Sequence, residues 1–287
     1  MKMNNDFCIF ILTHGRPDNL ITLNTLKQCG YTGNYYLVID NEDKRANEYF
    51  EKYRKKVIQF DKKKYADECD ECNNFDERRT ITMARNACFD IAKKLGFMYF
   101  MQLDDDYTSF EFRFADKENI KLLVKKIINL DKIIKSYLDF YKSTNCKSIA
   151  LAQGGDFIGG VDNGKGSYRF SKRKCMNSFI CSIERPFKFI GAMNEDVNTY
   201  TTLGSRGSLF FTIPFASLTQ KATQSQSGGI SDMYLKYGTF CKSFTTVMNM
   251  PSSVKVTMMN TSNKRLHHKI NWNNTVPKII SEDLKKK

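Results

Sequence analysis

Phe97-Met98-Tyr99-Phe100-Met101-Gln102-Leu103-Asp104-Asp105-Asp106 is the stretch on which the fold turns. An apolar run entered through Gly96 and closed by three carboxylates reads as a buried parallel strand whose C-terminal end opens into a polar crevice. Open α/β sheets hold their ligands at that end of their strands. Three carboxylates a few ångström apart repel one another by on the order of several kcal/mol at an effective dielectric of about 20, so a half-buried cluster needs a counter-cation or takes up protons. Hard oxygen ligands suit magnesium or manganese, which keep positions open for phosphates. A solvated acidic loop after a core strand is the alternative, and the triplet alone does not separate the two.

Upstream, Phe7–Leu12 is a strand, Thr13–Asp18 a polar loop, and Leu20, Leu23, Leu26 and Lys27 continue at helical spacing to Gly30. Tyr35–Ile39 is a second buried strand closing on Asp40-Asn41-Glu42-Asp43; a charged helix from about Lys44 to Tyr53 and a strand Val57–Phe60 repeat the unit. Strand, helix and strand in this order predict a right-handed parallel sheet, a nucleotide-binding architecture. Lys62–Phe75 reads as a long polar loop. A helix over about Glu77–Leu95 carries Arg78, Arg79 and Arg85; Arg78 and Arg85 lie two turns apart on one face, positions suited to pyrophosphate.

Downstream, Tyr107–Phe114 alternates, and Lys117–Tyr141 predicts one amphipathic helix with Leu122, Leu123, Ile127, Leu130, Ile134 and Leu138 as its buried stripe. Ser148–Gln153 and Ser178–Ser182 are strands. Between them a Gly-rich segment leads into Lys165, Arg169, Lys172, Arg173 and Lys174, alternating with Gly, Ser and aromatic residues. That blend tracks a phosphate backbone while stacking on bases, and it is expected at the surface. The alternative is an exposed hairpin with a basic face. Glu195-Asp196, after Asn194, stand at a predicted helix N-terminus, as dipole complement or as a general base. Leu209–Pro214 is a strand, Gln220–Gly229 a loop and Asp232–Tyr237 a short helix; Phe244–Met250 and Val254–Met258 predict a strand pair about Pro251. The remainder holds His267-His268, Trp272 and a terminal Lys-Lys-Lys.

Composition narrows the partners. The 287 residues are 41% hydrophobic and 13% aromatic, globular values, and 45 Lys and Arg against 31 Asp and Glu leave a net charge of +14 that attracts polyanions, nucleic acid first. Nine scattered cysteines fit reduced thiols and a cytoplasmic location. Cys69-Asp-Glu-Cys72 lacks the second half of a zinc site and reads as two loop thiols. The apolar run at the N-terminus is too short for a signal or a span, so no membrane is expected.

Taken together, Thr13-His14-Gly15-Arg16-Pro17, Asp40, Arg85-Asn86, Leu103-Asp104-Asp105-Asp106, Asn194-Glu195-Asp196 and a late His resemble a nucleotide-sugar glycosyltransferase of the GT-A fold. More narrowly they resemble the TET/JBP-associated DNA base glycosyltransferases of phage genomes and the base J pathway, over about residues 6–270. The resemblance implies an α/β fold with a mixed, mainly parallel sheet flanked by helices, a basic insertion on the acceptor side, and a tail. Residues 1–106 would be the nucleotide-sugar half, 107–270 the acceptor half of one domain, and 271–287 a basic tail. It implies a UDP-sugar donor with Thr13, Arg16 and Asp40 near the uridine, Asp104 facing the ribose, and Arg78 and Arg85 toward the diphosphate. Asp106 would ligate manganese or magnesium, with His267 or His268 completing the shell. Glu195 and Asp196 would supply the base of an inverting transfer to a hydroxymethylated pyrimidine in DNA, the 165–174 segment would hold the strand, and a monomer is expected. A protein or small-saccharide acceptor, or a DNA-binding protein without catalysis, are the rival readings. The absence of a Gln-x-x-Arg-Trp motif argues against polymer synthesis, and the lack of a Gly-Ser pair or a second Asp-x-Asp argues against a nucleotidyltransferase.

Overall fold

The computed structural model describes residues 5–69, 78, 80–116, 121–157, 172–221, 234, 236, 238, 240–259 and 264–285. Its strands are β1 (Phe7–Leu12), β2 (Asn34–Asp40), β3 (Val57–Phe60), β4 (Tyr99–Asp104), β5 (Tyr107–Asp116), β6 (Lys121–Lys126), β7 (Ser148–Ala152), β8 (Ser178–Ser182) and β9 (Phe210–Gln220), with a separate hairpin of β10 (Val254–Met258) and β11 (Leu266–Ile270). The described helices are α1 (Ile21–Gln28), α2 (Ala46–Tyr53), α3 (Lys62–Ala66), α4 (Thr82–Leu95), α5 (Leu130–Ser143), α6 (Glu195–Ser205), α7 (Cys241–Asn249) and α8 (Trp272–Thr275).

Nine strands form one sheet in the order β3-β2-β1-β4-β8-β7-β9-β5-β6. The first four are parallel, β8 and β5 are reversed, and the others follow β1, so the mixed, mainly parallel sheet is the observed one. All six residues of β1 are buried, as the unbroken apolar run requires. Strand alternation then divides the core: Phe7, Ile9 and Ile11 join Leu23 and Leu26 of α1, Tyr49 of α2 and Ile134 of α5, while Cys8, Phe10 and Leu12 join Met83 and Ala87 of α4 and Val197 and Tyr200 of α6. Each large side chain so buried contributes about 1.5–3 kcal/mol. Gly96, at φ 79°, ends α4: the Phe97 N–H donates to the Ala92 carbonyl at 2.9 Å, and the chain turns directly into β4.

Four predicted elements differ. The helix predicted over Lys117–Tyr141 is edge strand β6 followed by α5, which begins at Leu130 under an Asn129 cap whose side chain accepts from the Lys132 N–H at 3.1 Å. Leu122, Leu123 and Val124 fit either period, and pairing with β5 decided the outcome; the flanking lysines suit an exposed edge. Residues 244–249 lie in α7, not in a strand, and Met250 caps it; Ser243 and Thr246 of α7 are buried on one helical face, and the partner of β10 is β11. The Arg-bearing helix starts at Thr82, so Arg78 precedes it and shares no helical face with Arg85. The Lys62–Phe75 loop opens with helix α3, and Asp232–Tyr237 falls mostly outside the described residues.

The segment after residue 270 is packed rather than loose. Trp272 stacks on Tyr200 at 6.0 Å, Leu284 is 5% exposed, and Asn145 donates to the Leu284 carbonyl at 2.6 Å. A Cβ at Gly204 would sit 2.6 Å from the Thr275 carbonyl oxygen, so this close approach of α6 to α8 requires a glycine. Among the described residues, no helix is long and apolar enough to cross a membrane.

Candidate active site

The parallel strands β1, β2 and β4 end together, and β8 begins at the same end, Ser178 facing Leu103. The three aspartates lie where the chain leaves β4, fourth in the sheet, for β5, eighth. Two buried threonines of α1 hold this turn: the Thr22 hydroxyl donates to the Asp104 carbonyl at 2.6 Å and receives the Tyr107 N–H at 2.9 Å, and the Thr25 hydroxyl donates to the Tyr107 carbonyl at 2.8 Å. Beside it, the Thr13 hydroxyl donates to Asp105 at 2.7 Å, Arg16 Nη1 pairs with Asp105 at 3.0 Å, and the Tyr49 hydroxyl receives the Arg16 N–H at 2.7 Å. Thr13 and Arg16 thus meet the middle aspartate, the one for which the sequence offered no role.

Asp40 is 5% exposed and collects two basic side chains, His14 Nδ1 at 2.8 Å and Lys62 Nζ at 3.3 Å. The hydrogen bond to Asp40 raises the His14 pKa against the opposing effect of burial. Asp43 accepts the Gly15 N–H at 2.7 Å, and Arg78 Nε donates to Glu42 at 2.8 Å. The acidic end of β2 is therefore tied to the loop after β1 and to Arg78. Lys62 went unassigned in the sequence because a lysine in a charged run carries no sign that it will be buried.

Arg85, expected as a diphosphate ligand, is only 1% exposed. Its Nη2 donates to Asp104 at 2.9 Å and its Nε to Glu195 at 3.0 Å, with the guanidinium carbon 5.0 Å from the Phe179 ring. It joins the end of β4 to the start of α6 rather than presenting itself to a ligand. Its Nη1 is buried without a hydrogen-bond partner among the described residues. Burial pushes the Asp104 carboxyl up to about 7 despite Arg85, and burial with the Asp105 charge pushes Asp106 to about 6.

Glu195 and Asp196 are each 7% exposed. Glu195 is held by Arg85, whereas among the described residues Asp196 accepts only a backbone hydrogen bond, from Val197 N–H at 2.7 Å. Burial, then the Glu195 charge, raises Asp196 to about 7. The helix N-terminus favours the anion, and here burial outweighs it. This is the character of a proton acceptor that works near neutrality.

The donor atoms divide on whether they suit a divalent ion. Asp106 makes no ion pair among the described residues, unlike Asp104 and Asp105, and an oxygen donor of raised pKa at the strand end fits a hard cation. The two histidines do not fit one as they stand. Lys174 Nζ lies 2.9 Å from His268 Nε2 and 3.3 Å from His267 Nε2, so an ammonium already occupies the point on which both imidazoles converge. Among the described residues, no three His, Cys, Asp or Glu side chains gather as a metal cluster.

The basic segment also departs from expectation. Lys165 and Arg169 lie outside the described residues. Lys172 is exposed and donates to Asn273 at 3.2 Å. Arg173 is 6% exposed and pairs with Asp156 at 3.3 Å, and Lys174 turns in to the histidines. Two of the cations expected to face a nucleic acid are thus internal partners, because the fold brings Asp156 to Arg173 and the imidazoles to Lys174.

A comparison with curated proteins finds no match. Among solved structures, the chain is similar to TarS 1–349 of S. aureus, at 14% identity over 76% of this chain and a TM-score of 0.40, and it spans 60% of that chain. It is also similar to glucosyl-3-phosphoglycerate synthase from Mycobacterium tuberculosis, solved with Mn2+, UDP and phosphoglyceric acid, at 8% identity over 92% of this chain and 86% of that one, with a TM-score of 0.46. The model of the TET-associated glycosyltransferase family matches residues 7–229. That match takes in well over half of the sequence, and the chain belongs to the TET-associated glycosyltransferase family.

Proposed function

We propose that this protein moves a sugar from a UDP-sugar to the hydroxymethyl group of a pyrimidine base in DNA, with inversion at the sugar carbon. The observation that carries the reading is Arg85: one buried guanidinium holds the acidic end of β4 and the start of the Glu195-Asp196 helix in fixed relation. A transferase needs such a relation, a place for a leaving diphosphate on one side and a proton acceptor on the other. Thr13, Arg16 and Asp40 line the uridine side, Asp104 the ribose, and Asp106 the diphosphate. Arg78, paired with Glu42, stands at the rim of the same side. A divalent ion on Asp106 would supply Lewis-acid stabilisation of the charge that develops on the leaving diphosphate.

Asp196 takes the proton of the acceptor hydroxyl as that oxygen bonds to the anomeric carbon and the bond to the diphosphate breaks. Glu195, positioned by Arg85, raises the basicity of Asp196 through its charge. A hydroxymethyl group on a pyrimidine lies in the major groove or is reached by flipping the base outward. The family and the net charge of +14 support a polyanionic acceptor. The test incubates the protein with UDP-glucose, manganese and hydroxymethylated or plain DNA, with and without chelator, and digests to nucleosides for mass spectrometry. A hexose on the hydroxymethylated nucleoside alone is expected, and the chelator should abolish it. Donor turnover with no modified nucleoside would move the acceptor to a protein or small saccharide.

A further inference from the structure

The positive charge of the chain is unevenly distributed. Between Val197 and Ser281 the sequence has nine Lys and Arg and a single acid, Asp232. Much of this excess sits on α7 and the β10–β11 hairpin, which have no acidic residue at all. Lys255 and Lys269 are directly opposed across the hairpin, both exposed, with Lys264 and Arg265 exposed just before β11. Like charges facing each other across a strand pair destabilise it, and among the described residues no carboxylate relieves this one.

On the neighbouring helix, Phe240, Phe244 and Met248 recur every four residues along one face and are 47%, 47% and 83% exposed. The two rings meet edge to face at 6.2 Å. Helix propensity cannot account for three large apolar side chains facing water; the buried face of α7 is instead the Ser243–Thr246 side. The module also touches the candidate base. Asn194, the residue before α6, donates to Thr246 of α7 at 2.6 Å and lies 3.4 Å from His268 of β11, and the Asp196 charge acts on Lys242 of α7.

We infer that α7 and the β10–β11 hairpin form the surface on which the acceptor nucleic acid docks, the exposed cations holding phosphates and the Phe240–Phe244–Met248 face stacking on unpaired or flipped bases. This rests on the DNA-acceptor reading and deepens it, giving the strand a binding surface where two of the cations of the 165–174 segment are turned inward. Unpaired cations call for a polyanion, and exposed rings beside them call for one that carries flat apolar groups, which together describe a nucleic acid. A strand held there lies against the start of α6, where Asp196 is.

The experiment is a salt titration of binding to a short hydroxymethylated duplex and to its single strand, with thermal melts to confirm folding. Combining Lys255→Gln, Arg265→Gln and Lys269→Gln should make the slope of log affinity against log salt shallower by roughly two to three on duplex. Phe244→Ala with Met248→Ala should weaken single-strand binding about tenfold while leaving the slope near wild type. Lys93→Gln with Lys94→Gln, at the far end of α4, removes similar charge away from the crevice and should keep the wild-type slope. Wild-type binding with the same slope in the triple variant would overturn the inference and leave the DNA-acceptor reading standing. Wild-type binding to anionic vesicles but to neither DNA form, with UDP-sugar hydrolysis intact, would overturn both.

Discussion

At the ends of β1, β2 and β4, the buried carboxylates are matched by cations: Asp105 by Arg16, Asp40 by His14 and Lys62, and Asp104 together with Glu195 by Arg85. On α7 and the hairpin, by contrast, Lys255, Lys269, Lys264 and Arg265 have no acid on their own elements. The difference separates two uses of charge. A buried, paired charge adds little net stability but fixes a geometry, because breaking the pair leaves a costly lone ion. An exposed, unpaired charge fixes nothing and remains open to a partner, at a strength that salt can tune. Asp106 and Asp196 stand apart on the acidic side, each buried or half-buried without a side-chain cation of its own among the described residues, as groups meant to meet something that arrives.

The sharpest way to break this contrast is Asp196→Asn. Transfer should fall by about two to four orders of magnitude, as for a lost general base. Stability should move the other way. Because the folded Asp196 is raised from 3.8 to about 7, the native state keeps a proton that the unfolded chain has released, so wild-type stability declines as pH rises through that window. The asparagine variant lacks this decline, and its melting temperature should exceed that of wild type above pH 7. Retained transfer with lower stability at pH 8 would make Asp196 a helix cap.

Arg85→Met tests the paired side. Leaving Asp104 and Glu195 facing each other without the guanidinium should cost about 3–5 kcal/mol in urea unfolding near pH 8. Arg85→Lys should recover little, since one ammonium cannot reproduce two hydrogen bonds in a fixed fork. A loss below about 1 kcal/mol would show that the two sides of the crevice are positioned by something else.

The smallest expected effect is at the rim. His14 is 47% exposed, so its pair with Asp40 is worth only about a few tenths of a kcal/mol. Its folded pKa lies above 6.5, so the contribution is complete below that value and disappears as pH rises through the folded one. The melting difference between wild type and His14→Gln should shrink as pH rises above about 6.5. A difference that does not change with pH would mean that His14 acts as a neutral hydrogen-bond partner.

Local pattern was sufficient for much of the molecule. Phe7–Leu12, Val57–Phe60 and Ser178–Ser182 have the bounds that their apolar runs predict, and the acidic end of β4 falls where Leu103 gives way to Asp104. Phe7–Leu12 and Ser178–Ser182 are buried on both faces, so hydrophobicity alone marks them. Lys121–Lys126 and Phe244–Met250 were not legible, because a half-exposed segment satisfies two periods, and packing against β5 for one and the hairpin for the other chose between them.

For the site, the sequence determined which residues have chemistry to offer: the aspartates after β4, Asp40, the Glu195-Asp196 pair, the arginines and the late histidines. The tertiary structure alone decided how they are combined. It placed Arg85 between Asp104 and Glu195, 110 positions apart in the latter case, set Lys174 against His267 and His268, and turned Arg173 onto Asp156. The physical reason is that a charge enters the interior only with a partner, and the sequence names the charges while the fold chooses the partners.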